Sequence, residues 1–407
     1  MILPRQIIID EAFVSFKTFL RSAAVFTAFV HPATAADLMS FWDSPAKGGN
    51  VFNAAPKDEA YFRALADTGA AWVRLTFSKW EGQERDFLIG DADDYDGLIP
   101  EDLAVLHAEL DAAHAVGLKV VIAPLTLPGS RWSQQNGGEF DDRLWKDSTY
   151  QDQAAQFWAD LATALKDHPA VAAYNILNEP APEKMAGGVE NGSDQTLHDW
   201  QNAQAGGTRD LTAFYDKVIA RIREVDLLTP VMVDGGWFAN PRSLAAWPRA
   251  LSDDRVLYAF HMYEPYAATS APNMKRDVPL RYPGVVTEYA GGEESWNRQT
   301  VASHIGAAFN WAEKQGLPPT RVVAAEFGCM RHWADCGKYL TDVMDAIEER
   351  GGHWAFYSFR EDEWEGMDYE LSTSVAPGQF YWLTEEGKGA NLPRDGELMN
   401  LLRDRMR

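Results

Sequence analysis

The chain has 407 residues, and its 60 acidic against 37 basic side chains give a formal charge of −23. Nucleic acid and anionic membrane surfaces repel such a polyanion, so neither is expected as a partner, whereas a neutral glycan meets no such barrier. With 46% hydrophobic residues and no Ser/Gly/Pro-rich linker or internal repeat, one large core is expected rather than two domains.

Residues 1–36 read as an export signal. Arg5, Lys17 and Arg21 precede a short apolar run, Ala23 to Val30, and Ala33, Thr34 and Ala35 offer a small-residue cleavage site before Ala36. The run is too short to span a bilayer, so no integral membrane segment is expected. Asp10 and Glu11 fit a basic leader poorly, which leaves a downstream start, or an amphipathic helix, as the alternatives. A periplasmic or secreted catalytic domain over 37–407 follows from the export reading.

From there, apolar runs and helical periodicity alternate. Strands are expected at Gly48–Phe52, Ala71–Phe77, Lys119–Pro124, Ala170–Leu177, Pro230–Asp234, Val256–Tyr263, Arg321–Glu326 and His353–Phe359. Amphipathic helices are expected at Glu101–Val116, Gln151–Lys166, Thr208–Val225, Arg298–Lys314 and Asp342–Arg350; in the first, Leu103, Leu106, Leu110 and Ala113 share a face. Eight nearly continuous apolar strands, each followed by a helix or long loop, predict an α/β fold of the (β/α)8 TIM-barrel type. No GxGxxG turn follows an early strand, which removes the usual dinucleotide fold.

Long segments follow the carboxyl ends of strands 2, 3, 4 and 6: Phe77–Pro100, Thr126–Ser148, Ala181–Gly207 and Glu264–Trp296. Loops of this length are usually functional, and here they would wall a cleft at the C-terminal face. Trp80, Trp132, Trp145, Trp200, Trp237 and Trp296 are candidate sugar platforms within or near them.

Two strands end in a glutamate. Tyr174-Asn-Ile-Leu-Asn-Glu-Pro180 closes the fourth with Glu179, and Val322-Val-Ala-Ala-Glu-Phe-Gly328 closes the seventh with Glu326. A carboxylate at the end of a buried strand is costly unless it is solvated, paired or used. A pair of them at a barrel mouth is what cleavage of a glycosidic bond requires. The only cysteines, Cys329 and Cys336, follow Glu326 closely; a disulfide is expected in an exported protein, with a metal site including His332 as the alternative.

With these motifs in order, the chain resembles glycoside hydrolase family 5, over roughly Gly48 to Phe359. Asn178-Glu179-Pro180 after the fourth strand and Glu326 at the seventh carry the resemblance. It implies a retaining (β/α)8 hydrolase with Glu179 as acid/base and Glu326 as nucleophile, without metal or cofactor. By the same resemblance Asn178 would bond the sugar 2-hydroxyl, Arg74 would steady Glu326 and hold it ionised, and His261 and Tyr263 would flank the carboxylates. Trp237 and Tyr357 join the candidate substrate-binding set.

Two positions depart from the family pattern: Leu125 stands where a histidine is common, and Tyr357 where a stacking tryptophan is expected, unless Trp354 or Trp364 takes that role. A β-glucan is the first expected polysaccharide or oligosaccharide, because Pro128-Gly129-Ser130 and Asn136-Gly137-Gly138 resemble a loop of exo-β-1,3-glucanases. β-Mannan, an exopolysaccharide, transglycosylation, and glycan binding without hydrolysis remain as alternatives.

Overall fold

The computed structural model describes residues 35–188, 194–287, 292–361, 366–379, 383 and 393–407; the expected export signal up to Thr34, and Trp364, lie outside them. Eight parallel strands form a closed barrel. They are β1 (Lys47–Val51), β2 (Trp72–Leu75), β3 (Lys119–Ile122), β4 (Val171–Asn175), β5 (Val231–Asp234), β6 (Val256–Met262), β7 (Val322–Phe327) and β8 (His353–Phe356). The order round the barrel is β1-β2-β3-β4-β5-β6-β7-β8, with β8 closing on β1. Each expected strand is present, differing by a few residues at its ends.

A principal helix follows each strand, with further short helices after β4, β5 and β6: α1 (Glu59–Ala66), α2 (Pro100–Ala115), α3 (Ser148–Leu165), α4 (Leu211–Arg223), α5 (Pro241–Ala245), α6 (Arg298–Lys314), α7 (Cys336–Glu348) and α8 (Glu397–Met406). The starts of α1, α3, α4 and α6 are set by side chains that satisfy free backbone N–H groups: Asp58 accepts from Tyr61, Asp147 from Thr149, Asp210 from Ala213, and Asn297 from Gln299 and Thr300. In α2, Leu106, Leu110 and Ala113 are fully buried. Helix α7 begins six residues before the expected Asp342. Asp342 is itself buried and accepts the Tyr282 hydroxyl at 2.7 Å, so a carboxylate interrupts the apolar face that the pattern needed.

The core is split by the barrel wall. Outside, large side chains such as Phe62, Leu110, Trp158, Tyr258 and Phe356 join sheet to helices. Inside, the strands contribute small residues, Ala172, Ala173, Ala259, Ala325 and Ala355, and two indoles fill the lower barrel, Trp42 from below and Trp72 from β2. Trp42 donates Nε1–H to the Ala172 carbonyl at 3.1 Å and meets Trp72 edge-on, with ring centroids 5.3 Å apart. Gly48 is required beside them, because a Cβ there would lie 2.3 Å from the Trp72 carbonyl oxygen. Filling the lower barrel with rings leaves the polar inward positions gathered at the upper end.

Two register shifts decide which side chains reach that end. Between β6 and β7, Phe260 pairs with Ala324 but His261 pairs with Glu326, so Ala325 is an extra residue. Val323 and Ala325 already face the barrel interior, and strict alternation would send Glu326 outward. The bulge turns Glu326 inward instead. A similar shift, pairing Val120 with Val171 and Val121 with Ala173, lets Ala172 and Ala173 both face inward and so sets the parity for Asn175.

Candidate active site

Arg74 is the hub of the upper barrel. It is fully buried on β2, and its guanidinium donates Nη1–H to Glu326 Oε1 at 2.5 Å, Nη2–H to Asn178 Oδ1 at 2.6 Å and Nε–H to Asn175 Oδ1 at 2.8 Å. A planar fork suits three acceptors fixed at the ends of two strands, β4 and β7. Asn50 on β1 accepts from Nη1 at 3.3 Å and donates to the carbonyl of the bulged Ala325 at 2.8 Å. Tyr263 donates its hydroxyl to the second Glu326 oxygen at 2.8 Å.

Glu179 follows β4 in a left-handed turn, φ +49°, a strained conformation for a side-chain-bearing residue. Its Oε1 lies 2.7 Å from His261 Nδ1, and its backbone N–H donates to Asp234 Oδ2 at 3.0 Å. One oxygen from each glutamate and a ring nitrogen of His261 all lie within 4.8 Å of one another. These are also metal-type ligands, but each is already engaged by protein partners, and Arg74 supplies the positive charge beside Glu326 that a cation would bring. Solvent reaches both carboxylates, 17% and 11% exposed, while Arg74, His261 and Asp234 are sealed beneath them.

Burial, then the Asp234 charge, pushes the Glu179 carboxyl up to about 8, with Arg74 opposing. Burial also raises Glu326; His261, Arg74 and the Tyr263 hydrogen bond pull it back, and the Glu179 charge adds to the rise. Arg74 therefore offsets the burial of Glu326 without reversing it. Burial keeps His261 below the ordinary imidazole range.

Arg74, Asn178, Glu179, His261, Tyr263 and Glu326 thus meet in one site. Trp237 does not present an open face to it. Gly236 begins a turn in which Trp237, Phe238 and Ala239 all have left-handed backbone, φ +50°, +56° and +61°. This turns the Trp237 ring into a satellite cluster with Leu197 and Ala246, while Phe238, Trp132 and Phe140 border a pocket beside Glu179. Trp80 and Trp296 are buried, and Trp145 packs on Phe214 while also lining that pocket. Trp200, in the helix Asp194–Ala203, is only partly buried.

Tyr357 is at the inner end of β8, with its hydroxyl donating to buried Glu361 at 2.6 Å. Trp354 cannot replace it, because it is fully buried against Phe327 and its Nε1–H donates to Glu348 Oε1. Cys329 and Cys336 are joined by a disulfide, Cα atoms 5.7 Å apart, which removes both from the metal alternative with His332. Asp234, Asn50 and Asn175 were not singled out from the sequence. Their signal was available: each is a polar residue at or near the upper end of an otherwise apolar strand.

Residues 37–363 match the model of the family described as Cellulase (glycosyl hydrolase family 5). The chain belongs to that family. It is 26% identical over 337 residues to the probable glucan 1,3-beta-glucosidase A of Neosartorya fischeri, covering 78% of this chain and 73% of that protein. It is 27% identical over 220 residues to a beta-xylosidase of Phanerodontia chrysosporium, covering 53% of this chain and only 38% of that protein. In fold it is similar to the endoglucanase Cel5A from Thermotoga maritima, with TM-score 0.59 at 16% identity and coverage of 88% and 96%. The protein is therefore a glycosidase of the (β/α)8 type whose substrate is a polysaccharide or oligosaccharide. Among the described residues, no helix is long and apolar enough to cross a membrane.

Proposed function

We propose that this member of the family is a retaining β-glycosidase acting on a β-linked glucan, with Glu326 as nucleophile and Glu179 as acid/base. The observation that carries this reading is the separation of the two carboxylates, with an oxygen of each within 4.8 Å of the other. Retaining enzymes hold their carboxyl groups about 5–5.5 Å apart, whereas inverting enzymes need about 6.5–9.5 Å to admit water between them. In this reading Glu326, steadied by Arg74 and Tyr263, attacks the anomeric carbon as Glu179 protonates the leaving oxygen. Water then resolves the glycosyl-enzyme, giving its proton back to Glu179. Burial raises the pKa of Glu179 to about 8, which fits the acid role at neutral pH.

Glu326→Ala tests the assignment. Turnover of an activated aryl β-glucoside should fall by about 10⁴-fold or more, and azide should restore part of it with inverted glycosyl azide as product. Near-native turnover in a folded Glu326→Ala protein would reject Glu326 as nucleophile.

The glucan preference rests on the glucosidase relative and on the aromatic rims, Trp132 and Phe238, beside Glu179. An export signal over residues 1–36 accompanies this reading, with delivery to the periplasm or outside the cell. The Cys329–Cys336 bond supports an oxidising compartment. A mature N-terminus near Ala36 in exported protein tests that point; recovery of the intact leader would reject it.

A further inference from the structure

Beneath Glu179 lies a third carboxylate with no part in the double displacement just described. Asp234 ends β5 and is fully buried. Its Oδ1 accepts from Asn175 Nδ2 at 2.8 Å, and its Oδ2 accepts the Glu179 backbone N–H at 3.0 Å. The same Oδ2 stands 3.6 Å from Arg74 Nη2 and 3.5 Å from His261 Nε2. That ring nitrogen is buried and makes no hydrogen bond, while the other, Nδ1, lies 2.7 Å from Glu179 Oε1. Asp234, His261 and Glu179 therefore form a carboxylate–imidazole–carboxyl line. The Tyr215 hydroxyl donates to the Asp234 carbonyl at 2.9 Å and fixes the end of the strand from behind.

We infer that Asp234 is the positioning residue of the acid/base: it anchors the strained backbone of Glu179, holds the His261 ring proton on Nε2, and supplies the charge that keeps Glu179 protonated. The inference rests on the acid/base role proposed for Glu179.

The three effects have separate physical grounds. A left-handed backbone at a residue with a side chain persists only when its surroundings over-determine it, and the Asp234 acceptor provides one such restraint. A ring proton facing Asp234 leaves Nδ1 with a bare lone pair, so the hydrogen in the 2.7 Å contact belongs to Glu179. The charged and titratable groups facing Glu179 are Arg74 from β2, Asp234 from β5, His261 and Tyr263 from β6 and its end, and Glu326 from β7. Two carboxyl groups, Asp234 and Glu326, thus share this space with a single guanidinium, Arg74, while burial disfavours the charged forms of His261 and Tyr263. A further ionised carboxylate in the same buried space is disfavoured. On reaction the Glu179 proton leaves its hydrogen bond to Nδ1 and passes to the leaving oxygen; in the second step Glu179 recovers a proton from water, while His261 keeps its proton on Nε2 and Asp234 exchanges none.

The test compares Asp234→Asn with the unmodified protein on phenyl and 2,4-dinitrophenyl β-glucosides across pH. Loss of the charge should move the alkaline limb of kcat/KM down by about one pH unit or more. The loss on the phenyl glucoside, whose leaving group needs a proton, should exceed the loss on the dinitrophenyl glucoside by about tenfold or more. An unmoved limb, or equal losses on the two substrates, would overturn the inference. Glu179→Ala, run beside it, separates the two readings: a leaving-group-dependent loss in Glu179→Ala alone rejects only Asp234, and equal losses in Glu179→Ala reject the acid/base assignment itself. Should Asp234→Asn fail to fold, nitrogen-15 NMR of the unmodified protein decides. A His261 proton on Nε2 supports the inference, and one on Nδ1 overturns it.

Discussion

Arg74 Nη1 and Glu326 Oε1 are 2.5 Å apart although β2 and β7 stand on different sides of the barrel, with β1 and β8 between them on the shorter way round. The contact spans the upper barrel because the interior there holds polar side chains rather than packed aliphatics. Since the same guanidinium also holds Asn175 and Asn178, its geometry sets the relation between β4 and β7.

Arg74→Met should therefore lose both stability and turnover. Removing one partner of a buried ion pair leaves Glu326 and Asp234 with an uncompensated charge, at a cost of about 3–5 kcal/mol. Arg74→Lys should retain more stability and still lose turnover, because one ammonium cannot reach three acceptors in the fork geometry. Urea unfolding alongside aryl glycoside kinetics checks this; a fully active Arg74→Lys would deny the fork its role.

The Ala325 bulge should be equally sensitive to Asn50. Its amide nitrogen lies 2.8 Å from the Ala325 carbonyl and 3.3 Å from those of Ala355 and Phe356, so it ties the bulge to β8. Asn50→Ala leaves buried carbonyls short of a donor, and should destabilise the fold by about 1–3 kcal/mol. Turnover measured well below the new melting temperature should also fall, because Glu326 loses the support that aims it. Native turnover in Asn50→Ala would mean that the bulge holds its shape unaided.

The strands were legible because both faces of a barrel strand are buried, so each reads as a near-continuous apolar run. Glu179 and Glu326 stood out for ending such runs. What stayed hidden were events that alternation does not record. Ala324 and Ala325 are the same residue type, so nothing in the sequence marks one of them as the extra residue that turns Glu326 inward. The turn at Trp237, Phe238 and Ala239 adopts left-handed backbone without a glycine at those three positions, and it exchanges which aromatic borders the pocket. Asp234 looks in sequence like the end of a strand and no more, because its importance lies in contacts to β2, β4 and β6 that only the closed barrel creates.

The disulfide is predicted to stiffen the segment after β7. Both half-cystines are fully buried, and the bond closes a loop with a sequence separation of 7. By chain-entropy reasoning a loop this short contributes about 2–3 kcal/mol. Replacing both cysteines with serine should lower the unfolding free energy by about that amount, to be read from denaturant curves. An unchanged midpoint would mean that packing alone fixes this segment.

Stability should fall as pH rises from about 5 to 8, and the sign follows from three buried carboxyls. Glu109 and Glu179 are pushed up to about 8 and Glu183 to about 7, chiefly by burial, from an ordinary value of 4.5. In that window the folded chain keeps protons that the unfolded chain has released. The unfolded state thus binds fewer protons, and the slope of unfolding free energy against pH is negative. The stabilising contribution is complete below about 4.5 and is lost as pH passes the raised values. Glu326, also raised, acts in the same direction. His353, lowered to about 4 by burial, has the opposite sign and offsets part of the decline up to about pH 6.5, whereas Asp93, held at about 2 by hydrogen bonds from Arg131 and Arg143, opposes it only in acid. Glu109 isolates the effect because it is on α2, where its carboxylate accepts the Lys57 backbone N–H at 2.8 Å, and it has no contact with the Arg74 network. Glu109→Gln should flatten the decline in unfolding free energy between pH 5 and 8 and leave the alkaline limb of kcat/KM where it was. Urea titrations at several pH values measure the first and aryl glycoside kinetics the second; the same slope in Glu109→Gln as in the unmodified protein would show that Glu109 does not hold its proton in the folded state.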